Sequence, residues 1–400
     1  MQLPQPAVPE WSSLSGFDDF PVHQAAEPVR HAATSDRNFY DRYYFNCFDR
    51  GGQIMAVFGM GVYPNLGIHD AFVMVNDGET QRVVRASRPI TDRSDLTVGP
   101  ISVEPIEPLK RLRVVCDGVE HGVALDLMFD AAGPAFEEEP HRWRSHGRTM
   151  IETMRFAQVG SWTGTLQTGS DRYDVTPDAW WSTRDRSWGV RPIGEDEPAG
   201  IHGLGLVQDG FLWNYAPMRF DDHTFLYMCQ ERSSGLRDLE TAVRVYHDGR
   251  PRQHLGRPDH EHRLAPGTRF APTSTLRFPA APGGPIEVDI EVLQSSFLQF
   301  GTGYGRDPDW RHGMYQGPDL VVGGVEKTMT DLDGIERFLV DASARFTYTD
   351  PATGVRHVGY GLHEFGFFGP FPSYGLHDLV DTHDPDRVER HGSLPDSRAR

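Results

Sequence analysis

Cysteine is scarce in this chain, with Cys47, Cys116 and Cys229 the only three among 400 residues. No two of them have CxxC or zinc-finger spacing, which excludes a disulfide framework and a structural zinc site of the usual kind. Three separate thiols suit a reducing compartment and are expected as small buried hydrophobes. Long apolar runs are missing too, and none approaches the roughly 18 residues that a membrane helix needs. Met1 to Phe17 has neither a basic segment nor an apolar core, so no signal peptide and a cytoplasmic location are expected. Basic residues fall short of acidic ones, 39 against 57, for a formal charge of −18. That balance argues against nucleic-acid and anionic-membrane partners, which need clustered Lys and Arg.

Several catalytic signatures are also absent. There is no HExxH and no GxSxG elbow. Gly301-Thr302-Gly303-Tyr304-Gly305 lacks the Lys and the following helix of a phosphate loop, and Gly203-Leu204-Gly205 is a fragment. Both read as tight turns. The 18 histidines are scattered. His254, His260 and His262 lie near Asp259 and Glu261, but the string Arg257 to Arg263 carries two Arg and a Pro and reads as a solvated loop. No metal and no cofactor are expected.

What is present is β pattern. Ile286 to Val292 alternates strictly between apolar and acidic residues, the mark of a half-buried strand. Gln53 to Val62 and Ala71 to Val75 are short runs rich in β-formers. Asn76-Asp77-Gly78, Asp117-Gly118, Asp209-Gly210, Asp248-Gly249 and Asp333-Gly334 are hairpin signals, because type I′ turns need positive φ. Forty-two Gly and 30 Pro disfavour long helices. Short helices are expected near Ser145 to Phe156 and near Asp331 to Ala344. The length suggests two domains. The expected division is a loosely ordered segment 1–30, a β domain 31–195, a second β domain 200–379 and a flexible tail 380–400. The breaker-rich Gly194 to Gly200 marks the join.

The densest segment is Trp180 to Pro192, with three Trp, three Arg and one Asp in thirteen residues. Arg and Asp enter an interior only when paired or hydrogen-bonded. In an extended chain, Arg184, Arg186 and Trp188 share one face, with Asp185 and Ser187 on the other. Such a strand lines a polar-aromatic cavity or carries an internal ion-pair network. A faint echo links the two halves. Each closes on a Gly- and aromatic-rich segment carrying an acid, Asp185 in the first and Glu364 in the second.

These segments resemble the two-domain lipocalin-like superfamily, which includes carotenoid 1,2-hydratases and AttH-like proteins. The resemblance is carried by Asn38 to Asp49, by Glu107-Pro108-Leu109-Lys110-Arg111-Leu112, by Gly160-Ser161-Trp162-Thr163-Gly164-Thr165-Leu166 and by Asp185-Arg186-Ser187-Trp188-Gly189. Gly359-Tyr360-Gly361-Leu362-His363-Glu364 adds a closing motif. The match covers residues 38–192 best and 200–370 more loosely. Arg186 and Ser187 stand where the hydratases usually carry His and Asn. The resemblance implies a mainly β fold of two lipocalin-like antiparallel barrel or sandwich domains with few short helices. It also implies an enzyme acting without a cofactor on a lipophilic molecule such as a terpenoid, steroid or polyketide. Hydration, isomerisation and cyclisation are the candidate reactions.

Asp185, Glu364 and His363 are the candidate catalytic groups. An acid catalyst needs a carboxyl kept neutral near pH 7 by desolvation. Trp181, Arg184, Arg186, Trp188 and Tyr360 are the candidate substrate-binding groups, with the aromatics able to stabilise a cation. Three other readings stay open. Asp185 belongs to a structural Arg–Asp network, the chain is a carrier or sensor of a hydrophobic ligand, or it is a purely structural interaction module with no enclosed cavity. Oligomeric state is not legible.

Overall fold

The computed structural model describes residues 16–193, 197–198, 200–201, 210–305, 307–334 and 336–388. The expected join at 194–200, the Gly203-Leu204-Gly205 fragment and the Asp209 turn lie wholly or partly outside the described residues, as do both chain ends. Among those described, the fold is β throughout, and every helix is a single 3-10 turn. None is long and apolar enough to cross a membrane.

Two antiparallel sheets form the architecture. The first runs from the edge strand Val321–Thr328 through Thr80–Pro89, Ile68–Asn76, Met55–Tyr63 and Phe39–Asp49. It continues through Trp180–Val190, Arg148–Thr168, Val123–Ala131, Arg111–Gly118 and Ile101–Glu107. The sheet curls, so strands distant in this order meet, as Ile68–Asn76 does Ile101–Glu107. Its interior holds Phe45, Phe58, Phe129 and Trp162 among a dense aliphatic set. Trp162 is fully buried, and its indole donates to the Asn46 carbonyl at 2.8 Å. The second sheet centres on Phe211–Arg219, His223–Arg232, Arg356–Phe368, Val340–Thr349 and Ile286–Phe297. It wraps its own core of Phe220, Phe225, Tyr227, Phe278, Phe346 and Tyr348.

A third core lies between the sheets. Tyr44, Phe48, Phe72 and Trp181 of the first meet Leu212, Tyr215, Met228 and Leu362 of the second. The chain also crosses between them. After the strand ending at Phe297 it leaves the second sheet, runs along the first, and adds Val321–Thr328 beside Thr80–Pro89. Gln81 anchors the crossing, since its side-chain amide both donates to and accepts from the Phe297 backbone.

Several local expectations change. Neither expected helix forms among the described residues: residues 148–156 and 340–344 are strand, and the described part of 331–339 is turn, bend and irregular chain. Arg148–Thr168 and Val340–Thr349 each pair with a strand on either side. Both are rich in β-branched and aromatic residues, and sheet pairing overrides weak helical periodicity. The strand before Asp117-Gly118 runs through that pair, and the chain turns at Val119–His121 with Gly122 at φ 76°. Asp259–Arg263 is a paired strand rather than a solvated loop, and the His262 side chain is buried beneath it. All three cysteines are free and buried.

Candidate functional site

The strand Trp180–Val190 sends alternate side chains to opposite faces, as β geometry requires. Trp180, Arg184 and Arg186 face the curled interior or its rim. Trp181, Asp185 and Ser187 face the second sheet. Register then assembles a wall. Ser187 lies directly between Arg42 and Arg155, and Asp185 lies between Tyr44 and Ala157. Directly opposed residues of an antiparallel pair share a face.

The second sheet supplies the opposite wall by the same rule. Glu364 is flanked by Asp341 on one side and Tyr215 on the other. One step along, Trp213 lies beside Gln230. Between the walls is a cavity of about 340 Å³. Tyr40, Arg42, Tyr44, Arg155, Asp185 and Arg191 line one side, and Trp213, Gln230, Glu364 and Phe368 line the other. Leu298 and Tyr304 of the crossing segment close one end. The strands that carry the two acids touch each other across the interface.

The electrostatics of this space are set by burial. Asp185 is 8% exposed and makes no hydrogen bond among the described residues. Burial raises its carboxyl above the ordinary range, against the pull of Arg155, Arg191 and Arg42. The sequence neighbours Arg184 and Arg186 do not pair with it. Arg184 gives two hydrogen bonds to Gln158 Oε1, at 2.9 and 2.6 Å, and Arg186 binds Asp41 at 2.6 Å. Glu364 Oε1 accepts from the Trp213 indole at 2.8 Å. Burial pushes Glu364 up to about 7, with Arg155 opposing and Asp185 adding to the rise. Asp341, at the same level, is raised well above the carboxylate range by burial and then by Glu364. Tyr44 reaches across the interface and donates to Asp341 Oδ2 at 2.5 Å, while Oδ1 has no partner. Arg155 pairs with the buried Glu138 at 2.5 Å and lies against the Trp213 and Tyr215 rings.

The structure therefore brings Asp185 and Glu364 into one cavity. His363 points the other way, because neighbours in a strand face opposite sides. It is fully buried in the second sheet's interior, stacked on His262, with neither ring nitrogen bonded and its basicity pushed down to about 3 by burial. Trp181 and Tyr360 meet edge to face at 5.7 Å beyond the cavity, where Arg50 lies over both rings. Arg186 and Trp188 open onto a different groove, lined by residues 22–34, and Trp188 is 38% exposed.

Residues 14–377 match the model of a family of unknown function, DUF8625. The chain belongs to DUF8625. None of the curated proteins compared with this DUF8625 member matches it. Its fold is similar to that of kievitone hydratase from Nectria haematococca, at 10% identity and a TM-score of 0.45, over 82% of this chain and 88% of that one. It is also similar to an AttH-like protein of Nitrosomonas europaea, at 12% identity and a TM-score of 0.49, over 90% of this chain and 98% of that one. CghA solved with Sch210972 gives 12% and 0.49, over 82% of this chain and 88% of that one. Likeness at this level leaves the functional reading to the geometry of the DUF8625 chain itself.

That geometry includes groups the sequence did not single out: Arg42, Tyr44, Arg155, Arg191, Trp213, Tyr304 and Asp341. Two carried a local signal. Asp341 sits inside the apolar run Val340 to Ala344, and Arg155 between Met154 and Phe156. Elsewhere in this DUF8625 member, Cys229, Glu231 and His260 gather within 4.8 Å of one another. Their carboxylate already accepts from Arg237 at 2.7 Å and from His260 at 3.2 Å, and burial pushes the thiol up to about 12. The Glu231 carboxylate is therefore already paired with Arg237.

Proposed function

We propose that the cavity between the sheets is the active site of a cofactor-independent enzyme that moves protons on a lipophilic small molecule. The observation that carries the reading is the pair Glu364 and Asp341, two carboxyls directly opposed in one buried row. Like charges so placed do not both ionise, so the row keeps a proton near neutral pH. Glu364 Oε1 is occupied by the Trp213 N–H. In this reading the shared proton reaches the substrate from Glu364 Oε2, the oxygen that the indole leaves open. Asp185, on the opposite wall and without a hydrogen bond among the described residues, is the natural acceptor.

A substrate lying between these walls would receive a proton from Glu364 on an alkene carbon or a carbonyl oxygen. It would lose one to Asp185, from an adjacent carbon or through an attacking water. Hydration, isomerisation and cyclisation all follow from that exchange, depending on which nucleophile meets the developing cation. Tyr44 lines the space where such charge develops, while the Tyr40, Tyr304 and Trp213 rings already carry Arg191, Arg42 and Arg155. A volume of about 340 Å³ is at the small end of ligand cavities, which run roughly 300–1,000 Å³.

The test is turnover. The full chain is incubated with a panel of terpenoid, steroid and polyketide precursors, and products are read by mass spectrometry. Glu364→Gln and Asp185→Asn are run beside the parent, each checked for an unchanged fold by circular dichroism. Product formation lost in both variants supports the reading. Binding without any product, equal in parent and variants, moves the chain to the carrier reading.

A further inference from the structure

The first-sheet wall of the cavity holds guanidinium donors that no described acceptor uses. Of its three arginines, Arg155 is committed to Glu138. The other two are not. Arg42 is 4% exposed, lies 4.7 Å from the Tyr304 ring centre, and gives one nitrogen to His312 Nε2 at 3.1 Å. Its Nε–H is buried with no partner. Arg191 lies over the Tyr40 ring at 4.7 Å. It makes no side-chain hydrogen bond with any described residue, and its Nε is likewise buried and unpartnered. His312 adds no charge, since burial pulls it down to about 4. It positions Arg42 from behind while Asp70 accepts from the Gly313 backbone at 2.8 Å.

A buried guanidinium N–H without an acceptor is costly. Here two planar guanidiniums are held flat on aromatic rings at the edge of one cavity, with donors left over. Planar forks of this kind match carboxylate geometry. On the far wall, Phe211, Trp213 and Phe368 offer apolar surface.

We infer that the ligand of this cavity carries a carboxylate, held by Arg42 and Arg191 beside Ser187, with its apolar body against Phe211, Trp213 and Phe368. The inference rests on the cavity being a small-molecule site and adds the chemical class of what enters it. It does not depend on Glu364 or Asp185 doing chemistry.

The test uses the full chain and two probes of one shape, 2-naphthoate and its neutral amide, 2-naphthamide, titrated by calorimetry at low salt. A hydrogen bond to a charged group contributes about 1.5–3 kcal/mol, so the carboxylate should bind at least about tenfold more tightly than the amide. Arg42→Met and Arg191→Met should each erase most of that preference, and Glu364→Gln should retain it. Equal binding of the two probes, or binding of neither, overturns the inference without any variant. A preference that survives both arginine substitutions also overturns it. If the preference holds while Glu364→Gln and Asp185→Asn keep full turnover, the carboxylate site stands and the acid–base reading falls. If the two acids are required and no preference exists, the reverse is true.

Discussion

Replacing Glu364 by Gln separates a proton-holding carboxyl from a structural one. The substitution keeps the shape of the side chain and an oxygen to accept the Trp213 indole hydrogen bond. It removes only the ability to ionise. In the folded chain the carboxyl is raised from 4.5 to about 7. The sign follows directly. Between pH 4.5 and 7 the folded state holds a proton that the unfolded state has released, so stability falls as pH rises through that window. The full difference corresponds to about 3 kcal/mol. The Gln variant lacks this loss. Chemical unfolding from pH 4 to pH 8 should show parent and variant of similar stability near pH 4. The variant should then gain progressively and lead by up to about 3 kcal/mol at pH 8. A gap that does not change with pH would refute the reasoning. So would a variant less stable than the parent at pH 8, because Glu364 would then be an ionised partner that Arg155 requires.

Other consequences can be checked the same way. Tyr44→Phe leaves Asp341 with neither oxygen bonded and should cost about 1–3 kcal/mol in chemical unfolding. Trp162→Ala empties the first sheet's interior and removes the bond to Asn46, for a loss of about 3–5 kcal/mol. His363→Leu replaces a buried ring whose nitrogens have no partners, so it should be neutral or stabilising at pH 7. Because burial lowers that His from 6.5 to about 3, the unfolded state takes up its proton first and the parent loses stability as pH falls through that window. Thermal melts at pH 7 and pH 4 should show the Leu variant's advantage growing on acidification. Arg184→Met removes both hydrogen bonds to Gln158 and should lower the melting temperature without altering the binding of a cavity ligand.

The β class was legible because period-2 alternation is a local property. Ile286 to Val292 showed it, and the split of Trp180–Val190 into an Asp185 face and an Arg184 face followed from the same rule. That rule also bears on His363. Two adjacent residues of one strand do not line the same wall, so Glu364 in the cavity places His363 in the core behind it. The remaining site residues were not legible for a different reason. Arg42 meets Ser187, and Tyr44 meets Asp341, only through register between strands far apart in sequence and through the packing of one sheet on the other. No local pattern encodes that register. The crossing of residues 298–328 into the first sheet, which brings Tyr304 to the cavity, is likewise a tertiary event. The misplaced helices at Ser145 to Phe156 and Asp331 to Ala344 show the same limit, since strand pairing on both sides decided the conformation of residues 148–156 and 340–344.

The most direct test of the account is native mass spectrometry of the chain purified from its own host, beside Ser187→Phe. Ser187 sits on the cavity wall between Arg42 and Arg155, so a phenyl ring there fills the space while Asp185 and Glu364 stay intact. With both proteins melting alike, the account predicts a bound small molecule on the parent that the Phe variant has lost. A molecule retained equally by both would place the ligand outside the space between the sheets and contradict the account.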